Sequence, residues 1–315
     1  MIEKHQRAKG SLMGFIIGDA LGVPFKGLSR AEMTARPATG MTGFGTHHQP
    51  PGTWSHASSM MLCILENVIH HGNLHSLAKR LIRFYKEGYM SPHDQCFDIG
   101  TTNRKALDRC LEGIDLRVTG LDDPRSEDNG SLMRVVPYSF VQKDRSLLVN
   151  FHGCLTHRGP LSQISSWLCH KFLNALLNGE EQHDAINAAL KYFDWEVRNY
   201  ISDVYPRLQD VIGRISKPDF ESLPASEISS SDRVVDTLEA SIWCLLHSTD
   251  YRSAVLNAVN LGEETDTIAA LTGGLAGAYY GQQSIPPEWI DALVRRQEVE
   301  MMIDGFLEKV NDPTP

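Results

Sequence analysis

Apolar residues in this chain recur with the spacing of α-helices. Four segments place them three or four residues apart, on one face of a helix. They are Met60, Met61, Ile64, Leu65 and Val68; Leu81, Ile82 and Tyr85; Leu168, Phe172 and Leu176; and Leu238, Ile242, Leu245 and Leu246. Period-two alternation, typical of half-buried strands, is nearly absent. The pattern predicts an all-α protein, with helix ends at His70-His71-Gly72 and Asn178-Gly179, where glycine accepts a left-handed conformation.

We expect one domain, residues 1–315. The stretch Lys217 to Asp232 is rich in Ser and Pro. Helical patterning resumes on both sides of it, so we interpret it as an exposed connection within that domain.

Two glycine stripes repeat every fourth residue. The first is Gly10, Gly14, Gly18 and Gly22, and the second is Gly273, Gly277 and Gly281. Each glycine inside a helix costs about 1 kcal/mol relative to alanine, so the stripes need a compensating contact. We expect close packing between helices. Approach of a ligand to the backbone near Gly18 to Ala20 is compatible with this at one end.

The net charge and the cysteine spacing argue against several classes of partner and site. The net charge is -9 and no basic block occurs, which argues against nucleic acid or an anionic membrane as partner. The six cysteines form no CxxC or CxxH pair, so neither a zinc cage nor a disulfide framework is indicated. Reduced thiols favour a cytoplasmic location. Asp19 interrupts the first apolar run, so we expect no signal peptide, and no long apolar stretch predicts a membrane span.

An acidic segment near the second stripe is a candidate metal site. Glu264, Asp266 and Thr267 fall within one turn at the start of a helical pattern. Their oxygens are of the type that hard divalent cations prefer. The alternative is that these acids stabilise the helix dipole.

The segment Gly52 to Met60 leads into the next helical pattern. Ser55 and Ser58 lie in its first turn, where a serine side chain could face a cleft or cap the helix. We expect Trp54 and Trp167 in the core.

Two glycine turns precede predicted helices, at Gly100-Thr101-Thr102, with a helix from Asn103, and at Asn129-Gly130-Ser131. Such turns leave backbone N–H groups free for a diphosphate or ribose, although an ordinary turn remains open. His157 precedes a helix from Leu161, and a structural role for it is the alternative.

These segments, taken in order, resemble the ADP-ribosylglycohydrolase family. The matching stretches are GSLMGFIIGDALGVP, MTGFGTHHQPPGTWS, FDIGTTNRKAL, DNGSLMRVVP, LTH, VVDTLEASIWCLL and NLGEETDTIAALTGGLAGAYYGQQSIPPEW. The resemblance implies an orthogonal all-α bundle, with a cleft that binds ADP-ribose and two Mg or Mn ions.

The resemblance also assigns residues. Where the family has Thr or Ser, Asp, Asp, and Thr or Ser, this chain has Ser55, His56, Ala57 and Ser58. Glu264, Asp266 and Thr267 match the second metal segment, and Lys26 falls where a glutamate is common. The positions that the family uses for ribose and diphosphate are matched by Gly100, Asn129, Gly130, Ser131, Met133 and His157.

Magnesium requires near-octahedral oxygen ligands, which neutral imidazole suits poorly and alanine does not supply. The hypothesis is therefore a protein that recognises ADP-ribose or an ADP-ribosylated protein, with metal binding weak or absent and hydrolysis impaired. Such a pseudoenzyme would suit a regulatory or immunity role opposing an ADP-ribosyltransferase. The alternative is an active hydrolase with one metal at Ser55, Glu264, Asp266 and Thr267, or with a borderline ion that accepts His56.

Overall fold

The computed structural model describes residues 2–140, 153–200 and 212–311, with the side chains of 192–200 excepted. Their secondary structure is α-helical, with short 3-10 turns between helices. The α-helices are α1 (Lys4–Gly22), α2 (Arg30–Ala35), α3 (His56–Ile69), α4 (Leu74–Glu87), α5 (Thr101–Leu111), α6 (Val135–Tyr138), α7 (Pro160–Leu177), α8 (Gln182–Tyr200), α9 (Val234–Leu246), α10 (Tyr251–Asn260), α11 (Thr265–Tyr280), α12 (Pro287–Asp291) and α13 (Arg296–Asn311).

The all-α prediction is confirmed. Within the described ranges, β-pairing is limited to three isolated bridges, and all four apolar patterns lie in helices, α3, α4, α7 and α9. Trp54 and Trp167 are buried as expected. No helix in the described part of the chain is long and apolar enough to cross a membrane. All six cysteines are free thiols.

The helices α1 and α11 pack along the two glycine stripes, which confirms the predicted close packing and shows that each stripe is the partner of the other. A Cβ atom added at Gly277 would lie 2.0 Å from the Gly10 carbonyl oxygen, and one at Gly18 would lie 2.0 Å from that of Ala269. These separations are far below any real carbon contact, so the two backbones touch only because side chains are missing. Gly281 differs from the rest of its stripe, because it follows α11 with a φ of 81°.

The same contact sets the geometry of the candidate site. A Cβ at Gly22 would lie 2.3 Å from Asp266 Cα, so the end of α1 lies against the start of α11. The chain then continues through a 3-10 turn, Val23–Phe25, directly to Lys26. Close helix packing therefore brings Lys26 beside the acidic segment.

The predicted helix ends are largely as observed. Gly179 follows α7 with a φ of 90°, whereas after α3 the left-handed residue is His71, with a φ of 51°, rather than Gly72. Gly72 is instead required by space, since a Cβ there would lie 2.0 Å from Asn67 Oδ1. The connection Lys217 to Asp232 contains turns and two 3-10 helices, and it is anchored by the buried side chains of Phe220 and Ile228.

Candidate functional site

A cleft of about 560 Å³ is formed by the segment after α1 and by the starts of α3, α5 and α11. A volume of this order suits a ligand the size of a nucleotide. The lining residues are Lys26, His56, Asp98, Ile99, Gly100, Thr101, Thr102, Asn103, Lys105, Asp123, Arg125, Ser126, Asp128, Asn129, Gly130, Asp232 and Glu264.

The start of α5 forms one wall of the cleft. Gly100 has a φ of -58° and a ψ of 148°, so it lies outside the helix, which begins at Thr101 rather than at the predicted Asn103. No side chain caps this helix, and the N–H groups of its first turn have no intrahelical acceptor. A helix N-terminus of this kind attracts anionic groups such as phosphate.

The second glycine turn uses its backbone differently. Here a 3-10 helix, Asn129–Arg134, follows Asp128. The Asn129 N–H donates to the Asp232 carbonyl at 2.8 Å, and the Gly130 N–H donates to Asp128 Oδ1 at 3.1 Å. These two donors are already engaged. The Asn129 side chain reaches Thr237 Oγ1 at 3.0 Å and Glu264 Oε2 at 3.5 Å.

His157 supports this wall from behind. It is buried, and its Nε2 atom lies 2.6 Å from Asp128 Oδ1. Thr102 donates a hydrogen bond to the other oxygen of Asp128. Burial opposes ionisation of Asp128, but these contacts outweigh it and hold its pKa at about 2. Ser131 and Met133 are likewise buried. Of the six predicted ligand residues, only Gly100, Asn129 and Gly130 therefore line the cleft.

Lys26 and the acidic segment form a buried ion cluster on the opposite side. Lys26 Nζ lies 2.6 Å from Glu264 Oε2 and 2.7 Å from Asp266 Oδ1. Burial opposes the charge of Lys26, but the two carboxylates outweigh it and raise the pKa of the ammonium. Burial raises the pKa of Asp266, but the charge of Lys26 outweighs it, so the net shift is downward. Both partners are therefore charged.

The hydroxyls of Ser55 and Thr267, both expected near a metal, are engaged within the protein. Ser55 is the N-cap of α3, and its Oγ accepts from the Ala57 N–H at 3.2 Å. Thr267 is buried, and its Oγ1 lies 3.3 Å from Asp266 Oδ1. Capping, the alternative considered for Ser55, is thus observed.

His56 and Ala57 replace the acids of the first segment with uncharged side chains. His56 lines the cleft but is only 6% exposed. Burial lowers its pKa to about 4, so its imidazole is neutral at pH 7. Ala57 is completely buried and belongs to the hydrophobic core.

Asp98 and Asp128 are site residues that the sequence analysis missed. Burial and the neighbouring Asp266 raise the pKa of Asp98, and its Oδ2 atom lies 3.9 Å from His56 Nδ1 and 3.7 Å from His47 Nε2. A signal was present, since each aspartate stands two residues before a glycine already singled out, Gly100 or Gly130. The repeated Asp-x-Gly pattern marks both turns of the cleft.

The family model described as ADP-ribosylglycohydrolase matches residues 2–315 of this chain. The chain belongs to the ADP-ribosylglycohydrolase family. It is 32% identical over 309 residues to the ADP-ribosylarginine hydrolase Tri1 of Serratia proteamaculans, covering 96% of this chain and 79% of that protein. It is 24% identical over 312 residues to the ADP-ribosyl-[dinitrogen reductase] glycohydrolase of Rhodospirillum rubrum, covering 96% of each. A solved structure described as an ADP-ribosylglycohydrolase-related protein complex superposes with a TM-score of 0.80 at 28% identity, covering 98% of this chain and 99% of that one.

The two divalent ions expected of an ADP-ribosylglycohydrolase do not fit the side chains present here. A Lys26 ammonium lies within hydrogen-bond distance of both carboxylates that would have to bind metal. Ala57 supplies no donor, and His56 supplies a nitrogen where oxygen is preferred. In the described ranges no three His, Cys, Asp or Glu side chains are grouped so as to hold a metal ion. We therefore derive no chemical step through a metal.

Proposed function

We propose that this protein binds ADP-ribose, or the ADP-ribose group of a modified protein, in the cleft described above, and that its metal-dependent hydrolysis is impaired. One observation carries the proposal. The wall suited to the ligand presents Gly100, Asn129 and Gly130 to the cleft, whereas the acids on the metal side are paired with the Lys26 ammonium and the first metal segment offers an imidazole and a buried methyl group. Family membership supports the ligand, and the chemistry of the side chains supports the loss of hydrolysis.

The diphosphate would lie against the start of α5. The free N–H groups of that turn and the positive end of the helix dipole favour an anion there. The exposed side chain of Lys105 adds positive charge to the same cleft, whereas that of Arg125 is shared with Asp123 at 3.5 Å. The ribose would lie closer to Asn129 and Glu264, whose polar atoms suit its hydroxyl groups.

The hydrolytic step lacks its expected support. Cleavage of a glycosidic bond passes through a cation-like transition state and needs an activated water. In this cleft the Lys26 charge would oppose a developing positive charge, and the carboxylates of Glu264 and Asp266 are already paired with it. A protein that binds but does not cleave would serve a regulatory or immunity role opposing an ADP-ribosyltransferase.

Calorimetric titration with ADP-ribose, with MgCl₂ or with EDTA, tests the proposal. We expect binding in both conditions and no release of ADP-ribose from ADP-ribosyl-arginine. Thr101→Trp should fill the cleft at the start of α5 and weaken binding at least about tenfold, or about 1.4 kcal/mol. Leu111→Trp is the control, since Leu111 is exposed at the far end of the same helix.

Two results would overturn the proposal. Absence of binding at millimolar ADP-ribose, or equal affinity in Thr101→Trp and Leu111→Trp, would remove the assigned cleft. Metal-dependent turnover of ADP-ribosyl-arginine by the unmodified protein would instead favour the alternative, an active hydrolase that uses one metal or an altered metal site.

A further inference from the structure

Lys26 does more than replace the glutamate that is common at this position, because it lies between two carboxylates that share one side of the cleft. We propose that the Lys26 ammonium is a built-in cation, which offsets part of the negative charge of Glu264 and Asp266 and positions the bound sugar in place of a metal ion. The inference rests on the proposed function for the identity of its ligand. It goes further by assigning a positioning residue and by making recognition independent of divalent metal.

The charge of the cluster requires a cation. Asp266 is completely buried and the Glu264 side chain is 21% exposed. Two neighbouring carboxylates in such a place repel each other and lose hydration, so a facing positive charge is needed to keep both ionised. His56 is placed against a different acid, since its Nδ1 atom lies 3.9 Å from Asp98 Oδ2. The Lys26 ammonium lies within hydrogen-bond distance of both acids and supplies this charge.

The backbone holds Lys26 in this place. On its C-terminal side, the Gly27 N–H donates to the Glu263 carbonyl at 2.8 Å, and the Glu263 N–H donates to the Leu28 carbonyl at 2.7 Å. On its N-terminal side, the Gly22 backbone lies against that of Asp266. The segment that carries the lysine and the segment that carries the acids are therefore fixed to each other at two points. The ion pair is part of the fold.

The geometry also leaves one donor for a ligand. A lysine ammonium has three N–H donors, and two are used by Glu264 and Asp266. The Lys26 side chain is 15% exposed and lines the cleft. Its third N–H is therefore available to donate a hydrogen bond to a ribose hydroxyl oxygen. A metal ion would otherwise bind the same type of oxygen.

Lys26→Met tests the inference, since it keeps an unbranched side chain of nearly the same length and removes the charge. We expect the thermal midpoint of the unmodified protein to be the same in EDTA and in millimolar MnCl₂. Lys26→Met should unfold at a lower temperature in EDTA and recover in MnCl₂, because the two acids then accept the ion. Glu264→Gln combined with Lys26→Met should abolish that recovery, and Lys26→Arg should stay insensitive to metal.

Lys9→Met is the matched control. Lys9 Nζ pairs with Asp304 Oδ1 at 2.6 Å, and the Lys9 side chain is 18% exposed, but it does not line the cleft. Its loss should lower the midpoint without any response to MnCl₂. If Lys26→Met behaves like Lys9→Met, the inference is wrong.

ADP-ribose titration in EDTA tests the positioning role separately. Lys26→Met should bind at least about tenfold more weakly than the unmodified protein, and Lys9→Met should bind equally well. Equal affinity in Lys26→Met would overturn the role in sugar binding. If the unmodified protein itself fails to bind ADP-ribose, the proposed function falls, while the response of Lys26→Met to MnCl₂ still decides whether Lys26 replaces a cation.

Discussion

Asp19 of α1 accepts two hydrogen bonds from Ser58 of α3, one from the backbone N–H at 3.0 Å and one from the hydroxyl at 2.6 Å. A third bond comes from the Ser55 N–H at 3.1 Å. The Asp19 carboxylate thus caps α3 from a neighbouring helix. This arrangement fixes the first metal-type segment to α1, and it occupies the Ser58 hydroxyl.

We predict that Asp19→Ala lowers the free energy of unfolding by about 2 to 3 kcal/mol. The change leaves buried N–H donors at the start of α3 without an acceptor, beyond the usual loss of a cap. Chemical denaturation measures the effect. Asp304→Ala is the control, since it removes a carboxylate from a partly exposed ion pair and should cost about 1 kcal/mol or less. Equal losses in the two variants would show that Asp19 does not support α3.

The helical fold and the close packing of α1 and α11 were predictable, because patterns between neighbouring residues in the sequence indicate both. Apolar spacing fixes which face of a helix is buried. A stripe such as Gly10, Gly14 and Gly18 destabilises a helix unless close contact with another backbone compensates for the cost. The stripe at Gly273 and Gly277 carries the same information, but only the structure shows that the two stripes face each other.

The ion cluster was not predictable in this way, because its members are far apart in the chain. Lys26 is 238 residues from Glu264, and only the packing of α1 on α11 brings them together. Burial of His157 behind Asp128 is also a tertiary effect. The resemblance assigned His157 to the ligand, with a structural role as the alternative, and in the structure it lies behind Asp128.

We predict opposite effects of alanine at two glycines inside helices. A Cβ atom at Gly277 would lie 2.0 Å from the Gly10 carbonyl oxygen, so Gly277→Ala should cost at least about 3 kcal/mol, the upper range of overpacking. At Gly305, in α13, a Cβ would meet only Ile69 Cδ1 at 3.8 Å. Gly305→Ala should therefore stabilise the protein by up to about 1 kcal/mol through helix propensity. Thermal unfolding measures both. A neutral Gly277→Ala would show that α1 and α11 can separate at little cost.

His56 gives a prediction about pH. Its folded-state pKa is lowered by burial to about 4 from a reference of 6.5. The unfolded chain therefore takes up a proton in this range that the folded protein does not, so stability falls as the pH falls from about 6.5 to about 4. His56→Gln should remove a loss of about 2 to 3 kcal/mol over that interval. Denaturation at several pH values, compared with the unmodified protein, measures the difference. Parallel curves would contradict a buried neutral imidazole.

Restoring the missing acids tests the whole assignment of the site. We predict that His56→Asp with Ala57→Asp gains little metal, because the Lys26 ammonium still lies between Glu264 and Asp266. Adding Lys26→Met should raise binding to at least one Mn ion per chain, since Glu264, Asp266 and the carboxylate introduced at position 56 then have no competing Lys26 charge. Adding Lys9→Met to the double variant is the control and should leave metal binding low. Ala57 is fully buried, so His56→Asp with Lys26→Met provides a second route if the triple variant does not fold. Metal content after gel filtration measures the outcome. If the unmodified protein already carries two Mg ions, or releases ADP-ribose from ADP-ribosyl-arginine in a metal-dependent reaction, the proposal of impaired metal binding and hydrolysis is wrong and the active hydrolase replaces it.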